Sequence, residues 1–338
     1  MKQLTFVRPE KVEWREVADP RVEGALEAIV APLVIGRCDL DVGYVRGFIP
    51  LQGGEAIGHE MIGRVLDVGS DVLSVKPGDI VVVPAQISCG WCANCRRGFT
   101  GRCLSVPLGS SYGMGRKGSF GCSASDLVKV PFADGMLFPL PPGAVPADWI
   151  GFADMALDSW RAVGAPLSQR PGASVLIIGG WPSVIAIYAA GLASSLGAGC
   201  TDYWDDDPVR LTEAAKFGAH TITRGVAEPE RTYEIVVDCR NDAASPAEAI
   251  RFVEPEGVIT CVTYHAGQTS VPLLDAYYKG VTWRIGRPNV RAQMDALCPI
   301  CVKGLFHPEH VKTSFFSYEE APEAWMSHDL RVAAVQKP

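Results

Sequence analysis

At 338 residues the chain exceeds what one ordinary hydrophobic core organises and calls for two domains. Hydrophobic residues make up 48% and charged residues 20%, which excludes an intrinsically disordered chain. A net charge of -7 excludes a nucleic-acid or anionic-membrane surface as the main partner.

The opening Met1-Lys2-Gln3-Leu4-Thr5-Phe6 has no long apolar run, so no secretory signal is expected. Apolar stretches elsewhere are broken by Gly, Pro or charge before membrane-spanning length, and a cytoplasmic protein is expected. Residues 1–36 alternate short apolar runs with charged turns and end in Ala28-Ile29-Val30-Ala31-Pro32-Leu33-Val34-Ile35-Gly36, which predicts β-structure. Residues 65–69 and 78–83 predict strands punctuated by glycine turns. The first part of the chain is therefore expected as a β-rich domain with long loops. Pro139, Pro141, Pro142 and Pro146 mark an expected hinge.

From residue 172 the texture changes to strand–helix alternation. Ser174-Val175-Leu176-Ile177-Ile178 is the short, continuous apolar strand that a parallel sheet covered on both faces requires. An alanine-rich helix over 184–196 follows, and residues 235–238 and 258–262 supply further strands. This predicts a doubly wound α/β domain. After residue 285 the remainder is too short to stand alone and is expected to return to the first domain.

Eleven cysteines, an odd number in a long chain without a secretory signal, predict reduced thiols. Four of them, Cys89-x2-Cys92-x2-Cys95-x7-Cys103, put enough thiolates in one loop to close a tetrahedral zinc shell. An iron–sulfur cluster is the competing occupant. Gly90 and Gly98 let the backbone wrap closely, and Arg96, Arg97 and Arg102 are expected to offset the thiolate charge. A second set surrounds Gly58-His59-Glu60-Met61-Ile62-Gly63. A reactive zinc keeps three protein ligands and one position for another molecule. Cys38, His59 and Asp154 are the candidates, with Glu60 as a fourth, exchangeable ligand. Taken singly each has an ordinary alternative: a buried thiol, a hydrogen-bonded imidazole, an acid at a helix start.

The run Gly58-His59-Glu60-x2-Gly63-x5-Gly69, continuing to Gly78-Asp79-x-Val81, resembles the zinc-dependent alcohol dehydrogenases of the medium-chain dehydrogenase/reductase superfamily. So does the order Cys38, His59-Glu60, four-cysteine lobe, strand–Gly–helix unit, and the likeness extends to Val130-Pro131-Phe132-Ala133-Asp134 and Leu140-Pro141-Pro142-Gly143. The resemblance implies a β-rich GroES-like catalytic domain over 1–150, a Rossmann-type NAD-binding domain over 151–284 and a return segment over 285–338. It implies Asp154 as third ligand of the catalytic zinc, and Asp41 as the acid that orients His59 through its other ring nitrogen. Zinc in that family is the Lewis acid for hydride exchange between an alcohol and a nicotinamide.

Two departures stand out. The family usually reads Cys-x-Ser/Thr-Asp, the hydroxyl relaying a proton. This chain reads Cys38-Asp39-Leu40-Asp41, so Asp39, Tyr44 or water takes that role, or the chemistry differs. In Gly179-Gly180-Trp181-Pro182-Ser183-Val184 only the first glycine of the dinucleotide fingerprint is kept, Trp181 and Val184 filling the other two places. The helix start still offers N–H groups to a pyrophosphate. Asp205 resembles the family's ribose-binding acid and favours NAD(H) over NADP(H). Cys239, Val262 and Thr263 are expected at the nicotinamide, with Arg287 and Arg291 as candidates for the pyrophosphate.

The expected function is NAD(H)-linked interconversion of a secondary alcohol or polyol and its ketone, with two zincs per chain in a homodimer or homotetramer. Rival readings are non-redox zinc chemistry (lyase or hydrolase), NAD held as a prosthetic group, or a binding protein on this scaffold. His265, His307, His310 and His328 are expected as surface or packing residues. Trp91, Tyr44 and Phe48 are expected either to shape a substrate pocket or simply to pack.

Overall fold

The computed structural model describes residues 1–114, 120–263, 265 and 268–336. The chain divides into two compact units. One comprises Met1–Leu157, Asn289–Val302 and Pro308–Pro338, the other Asp158–Pro288 and Lys303–His307.

The first unit is built on β-structure. Lys2–Arg8 and Lys11–Glu16 pair as an antiparallel hairpin. A seven-stranded sheet runs in the order Thr313–Ser317, Arg331–Val335, Ala28–Arg37, Glu60–Val68, Ile80–Val83, Phe138–Pro139, with Val128–Val130 beside Ala28–Arg37. Its first pair is parallel and the others are antiparallel. The apolar run before Gly36 becomes the long central strand, with Val30, Val34 and Ile35 fully buried. The expected proline hinge lies inside this unit. Pro139 ends a strand, and Pro146 starts the helix Pro146–Trp149 at a position where its missing N–H costs nothing.

The second unit contains one parallel sheet of six strands in the order His220–Thr223, Cys200–Asp205, Ser174–Ile178, Tyr233–Asp238, Val253–Cys261, Thr282–Ile285. The first strand of the unit lies at the centre and the order reverses beside it. That is the doubly wound Rossmann arrangement, in which ligands bind outside the carboxyl ends of the strands. Val175, Leu176, Ile177 and Ile178 are fully buried, as the uninterrupted apolar run requires. The alanine-rich helix Ser183–Ser195 is buried from Ser183 to Ala193, and its Gly191 lets Phe217 approach within 2.7 Å of a would-be Cβ. Among the described residues no helix is long and apolar enough to cross a membrane.

Candidate metal and dinucleotide sites

Cys38 caps the short helix Asp39–Val45, and Asp41 stands at its third position. One Asp41 oxygen accepts the Cys38 N–H at 3.0 Å, the reciprocal half of a capping box. The other oxygen is thereby turned toward His59 Nδ1, at 3.5 Å. The Cys-x-x-Asp spacing thus has a local cause: capping positions the acid behind the imidazole.

His59 enters the sheet just before the strand Glu60–Val68. Gly58 precedes it with φ +103°, and a Cβ there would meet the Ala124 methyl at 2.9 Å, so both backbone and space demand glycine. Asp154 follows the tight turn Ile150–Ala153. Donor atoms of Cys38, His59 and Asp154 lie within 4.8 Å of one another, with Cys38 Sγ 3.5 Å and His59 Nε2 3.6 Å from Asp154 Oδ2. A tetrahedral zinc with ligand distances of about 2.0–2.3 Å spaces its donors by roughly 3.3–3.7 Å.

Beyond these approaches to Asp41 and Asp154, neither His59 nitrogen has a hydrogen-bond partner among the described residues, nor has Asp41 Oδ1. A buried imidazole left in that state is costly, and a cation on Nε2 with Asp41 drawn onto Nδ1 completes it. Burial pushes the Cys38 thiol well above its ordinary range, so its thiolate form depends on the cation. Burial works against a charged His59, but Asp41 and then Cys38 outweigh it and hold the imidazole well above its usual value. The donor set fits zinc.

Glu60, expected as a fourth ligand, does not join this group. Its side chain lies over Gly36, where a Cβ would come within 2.3 Å of Oε2. Arg331 donates to that oxygen at 3.1 Å, and the Met155 N–H approaches Oε1 at 3.4 Å. Burial pushes the Glu60 carboxyl up to about 7 against the pull of Arg331. Arg331 escaped the sequence reading. Its signal is a charged residue heading the apolar strand Arg331-Val332-Ala333-Ala334-Val335. Of the proposed relay groups, Tyr44 donates its hydroxyl to Met114 O at 3.2 Å and Asp39 is buried.

The four-cysteine lobe gathers its sulfurs within 4.8 Å, two pairs of them at 4.0 Å. That is the spacing of a shell around one zinc, and a multinuclear iron–sulfur cluster holds its thiolates farther apart. Gly90 and Gly98 have φ of +90° and +80°, so the loop wraps through left-handed turns. Backbone amides meet the sulfurs directly. N–H groups of Cys92, Cys95, Leu104, Cys89 and Ser105 point at sulfur at 3.3–3.5 Å. The Leu104 amide leads in holding the Cys92 thiol down to about 6. Arg96 donates to Trp91 O, Arg97 lies over the Phe99 ring, and Arg102 donates to Asn289. Trp91 packs edge-on against Phe132, and Phe48 is exposed.

In the second unit Gly179, Cys239, Val262 and Thr263 follow the carboxyl ends of adjacent strands. The N–H groups of the first three extend the ladder to Trp204 O, Ile178 O and Asp238 O. Gly180, Trp181 and Pro182 lead into the helix that begins at Ser183, whose hydroxyl donates to Gly180 O at 3.0 Å; Val184 is buried. A Cβ on Gly179 would come within 2.3 Å of Asp205 Oδ2, a close approach that keeps this first glycine.

Asp205 itself departs from expectation. It is fully buried. Its Oδ1 accepts from the N–H groups of Asp206 and Asp207 and from Arg210, and its Oδ2 from Tyr203 Oη and Arg210 Nε. Burial opposes its charge, but Arg210 outweighs that and holds the carboxyl below its usual range. Five donors exhaust a carboxylate's acceptor capacity, so a ribose hydroxyl reaches Asp205 only if Arg210 yields. The charge argument against a 2′-phosphate is weakened by the same pairing. Of the two arginine candidates, Arg291 pairs with Asp295 along its own helix at 3.3 Å.

A family model for the alcohol dehydrogenase GroES-like domain matches residues 24–142. A protein described as a probable zinc-binding alcohol dehydrogenase of Mycobacterium tuberculosis is 28% identical over 325 residues, covering 93% of this chain and 81% of its own. A glutathione-independent formaldehyde dehydrogenase of Pseudomonas aeruginosa is 31% identical over 228 residues, a match spanning 64% of this chain and 56% of that protein. Among solved structures, the alcohol dehydrogenase TADH from Thermus sp. ATN1 is 30% identical and superposes with a TM-score of 0.89 over all of both chains. A likeness of that extent, in a chain that brings both donor sets together, shows the family: the chain belongs to the zinc-dependent alcohol dehydrogenases of the medium-chain dehydrogenase/reductase superfamily and is a zinc-dependent oxidoreductase.

Proposed function

We propose that this enzyme interconverts a secondary alcohol or polyol and its ketone. The reading is carried by the convergence of three buried donors, Cys38, His59 and Asp154, one fewer than a closed structural shell takes. In it the first unit is catalytic, the second binds the dinucleotide, and Cys89, Cys92, Cys95 and Cys103 hold the structural zinc. Zinc on the three-donor set would supply Lewis-acid polarisation of the substrate oxygen, and NAD(H) the hydride exchange. Asp41 orients the His59 ring through Nδ1. Leu40 has neither donor nor acceptor on its side chain, so no proton passes through it. A reducing cytoplasm, which keeps the thiols available as ligands, is part of the same reading.

Titration of zinc-quantified protein with NADH and with NADPH, followed by tryptophan fluorescence, tests this. Saturable, reversible quenching by NADH is expected, with turnover of secondary alcohols. The absence of NADH quenching in nucleotide-free, zinc-loaded protein would overturn the reading and leave zinc chemistry without hydride transfer. Equal quenching by both nucleotides would remove Asp205 as a selector.

The working form proposed is a homodimer or homotetramer. In the second unit Leu273, Leu274, Tyr277, Tyr278 and Ile285 are each 66–79% exposed, and among the described residues Thr282–Ile285 has a sheet neighbour on one side only. An open strand edge beside apolar side chains is a template for a second copy. Light scattering is expected to give at least twice the 36.3 kDa chain mass, and less for Tyr278→Asp. A 36.3 kDa particle for the unmodified protein would refute it.

A further inference from the structure

Asp238 ends the strand Tyr233–Asp238, and Cys261 ends the neighbouring parallel strand Val253–Cys261. The two residues are register partners, so their side chains leave the sheet on the same face. His265 follows four residues later. It was expected as a surface or packing residue, yet its donor atom lies within 4.8 Å of those of Asp238 and Cys261.

The polar atoms around this cluster are incompletely paired. Asp238 is fully buried. Its Oδ1 accepts from Ser245 Oγ and from the Arg240 N–H at 3.2 Å, but its Oδ2 has no hydrogen-bond partner among the described residues. The same holds for His265 Nε2. Native interiors leave few such atoms, and two within one cluster call for something that satisfies them together. A proton shared between Asp238 and His265 would serve two of them and leave Cys261 outside. A divalent cation takes carboxylate, imidazole and sulfur at once, and its charge cancels one carboxylate and one thiolate. Asp158 and Arg161, which also act on Cys261, are paired with each other at 2.6 Å.

We propose that Asp238, Cys261 and His265 form a third metal site, in the second unit, for zinc or another borderline-soft divalent ion. Mixed sulfur, nitrogen and oxygen donors select that class of ion over magnesium or calcium. Binding displaces the Cys261 proton to solvent and involves no change of oxidation state. The site is independent of the three-donor set of Cys38, His59 and Asp154, and of any reading of the substrate.

The test is a metal count on full-length protein, loaded with zinc and dialysed free of loosely held ion. Three zincs per chain are expected in the parent, and two in Cys261→Ala and in His265→Ala. Cys200→Ser, which alters a thiol outside the group, retains three. His59→Ala also falls to two, and the His59→Ala/His265→Ala pair to one, so failure of one site is distinguishable from failure of the other. If the single variants do not fold, cobalt titration of the parent decides. A third equivalent with a thiolate-to-cobalt charge-transfer band supports the site. Saturation at two equivalents, or a parent that holds two zincs and a His265→Ala variant that holds the same two, overturns it.

Discussion

His59→Ala is expected to lower turnover by roughly 10⁴-fold, to remove one zinc per chain, and to leave the structural lobe loaded. The magnitude follows from asking a Lewis acid for several kcal/mol of transition-state stabilisation, each 1.4 kcal/mol being about tenfold in rate. His59 is fully buried between Asp41 and Asp154, so water does not readily replace its nitrogen. With it gone, Cys38 and Asp154 remain as two anionic donors 3.5 Å apart, too few to retain the ion against dialysis. The fold should persist, because the donor loops are held by the sheet and by the helix cap on Cys38. Metal analysis together with steady-state kinetics and circular dichroism checks this. Unchanged turnover in His59→Ala would sink the assignment of the reactive zinc to this set.

Arg331→Met is expected to destabilise the protein by about 3–5 kcal/mol near pH 8, the cost of leaving one member of a buried ion pair without its partner. Both side chains of the Glu60–Arg331 pair are inaccessible to solvent. The pH dependence has a definite sign. Glu60 titrates at about 7 in the fold, above its ordinary value of 4.5, and removing Arg331 raises it further. A carboxyl raised on folding favours the fold fully below its unfolded value, and that contribution is lost as pH rises through the folded value. The deficit of the variant should therefore be smaller at pH 6, where a protonated Glu60 needs no cation, than at pH 8. Urea unfolding at the two pH values measures it. The Glu60→Gln/Arg331→Met double variant should recover most of the loss, since no charge is then stranded. A single variant as stable as its parent at pH 8 would show that the pair carries no such energy.

Much of the fold was legible because its signals are local. The unbroken Val175–Ile178 run requires a strand covered on both faces, and the strand–helix alternation around it admits few topologies. The cysteine lobe was legible for the same reason: four ligands within fifteen residues need no long-range folding to be recognised as a set. Its amide contacts to sulfur were not legible, because arginines can be counted in a sequence while the direction of a backbone N–H cannot. Asp205 could be located at a strand end from its position before the next helix, but its five donors could not. They depend on Tyr203 reaching across the strand end and on Arg210 turning back from the first helical turn.

By itself, then, the sequence determined the strand–helix alternation and the four-thiolate lobe, which rest on residue type and spacing, and Cys38, His59 and Asp154 as donors through the family resemblance. The tertiary structure alone decided that those three donors converge, that Glu60 turns aside to Arg331, and that Asp238, Cys261 and His265 share a buried corner. Glu60 and Arg331 are separated by 271 positions along the chain. A partnership at that range is set by which strands lie side by side, and no local pattern encodes it.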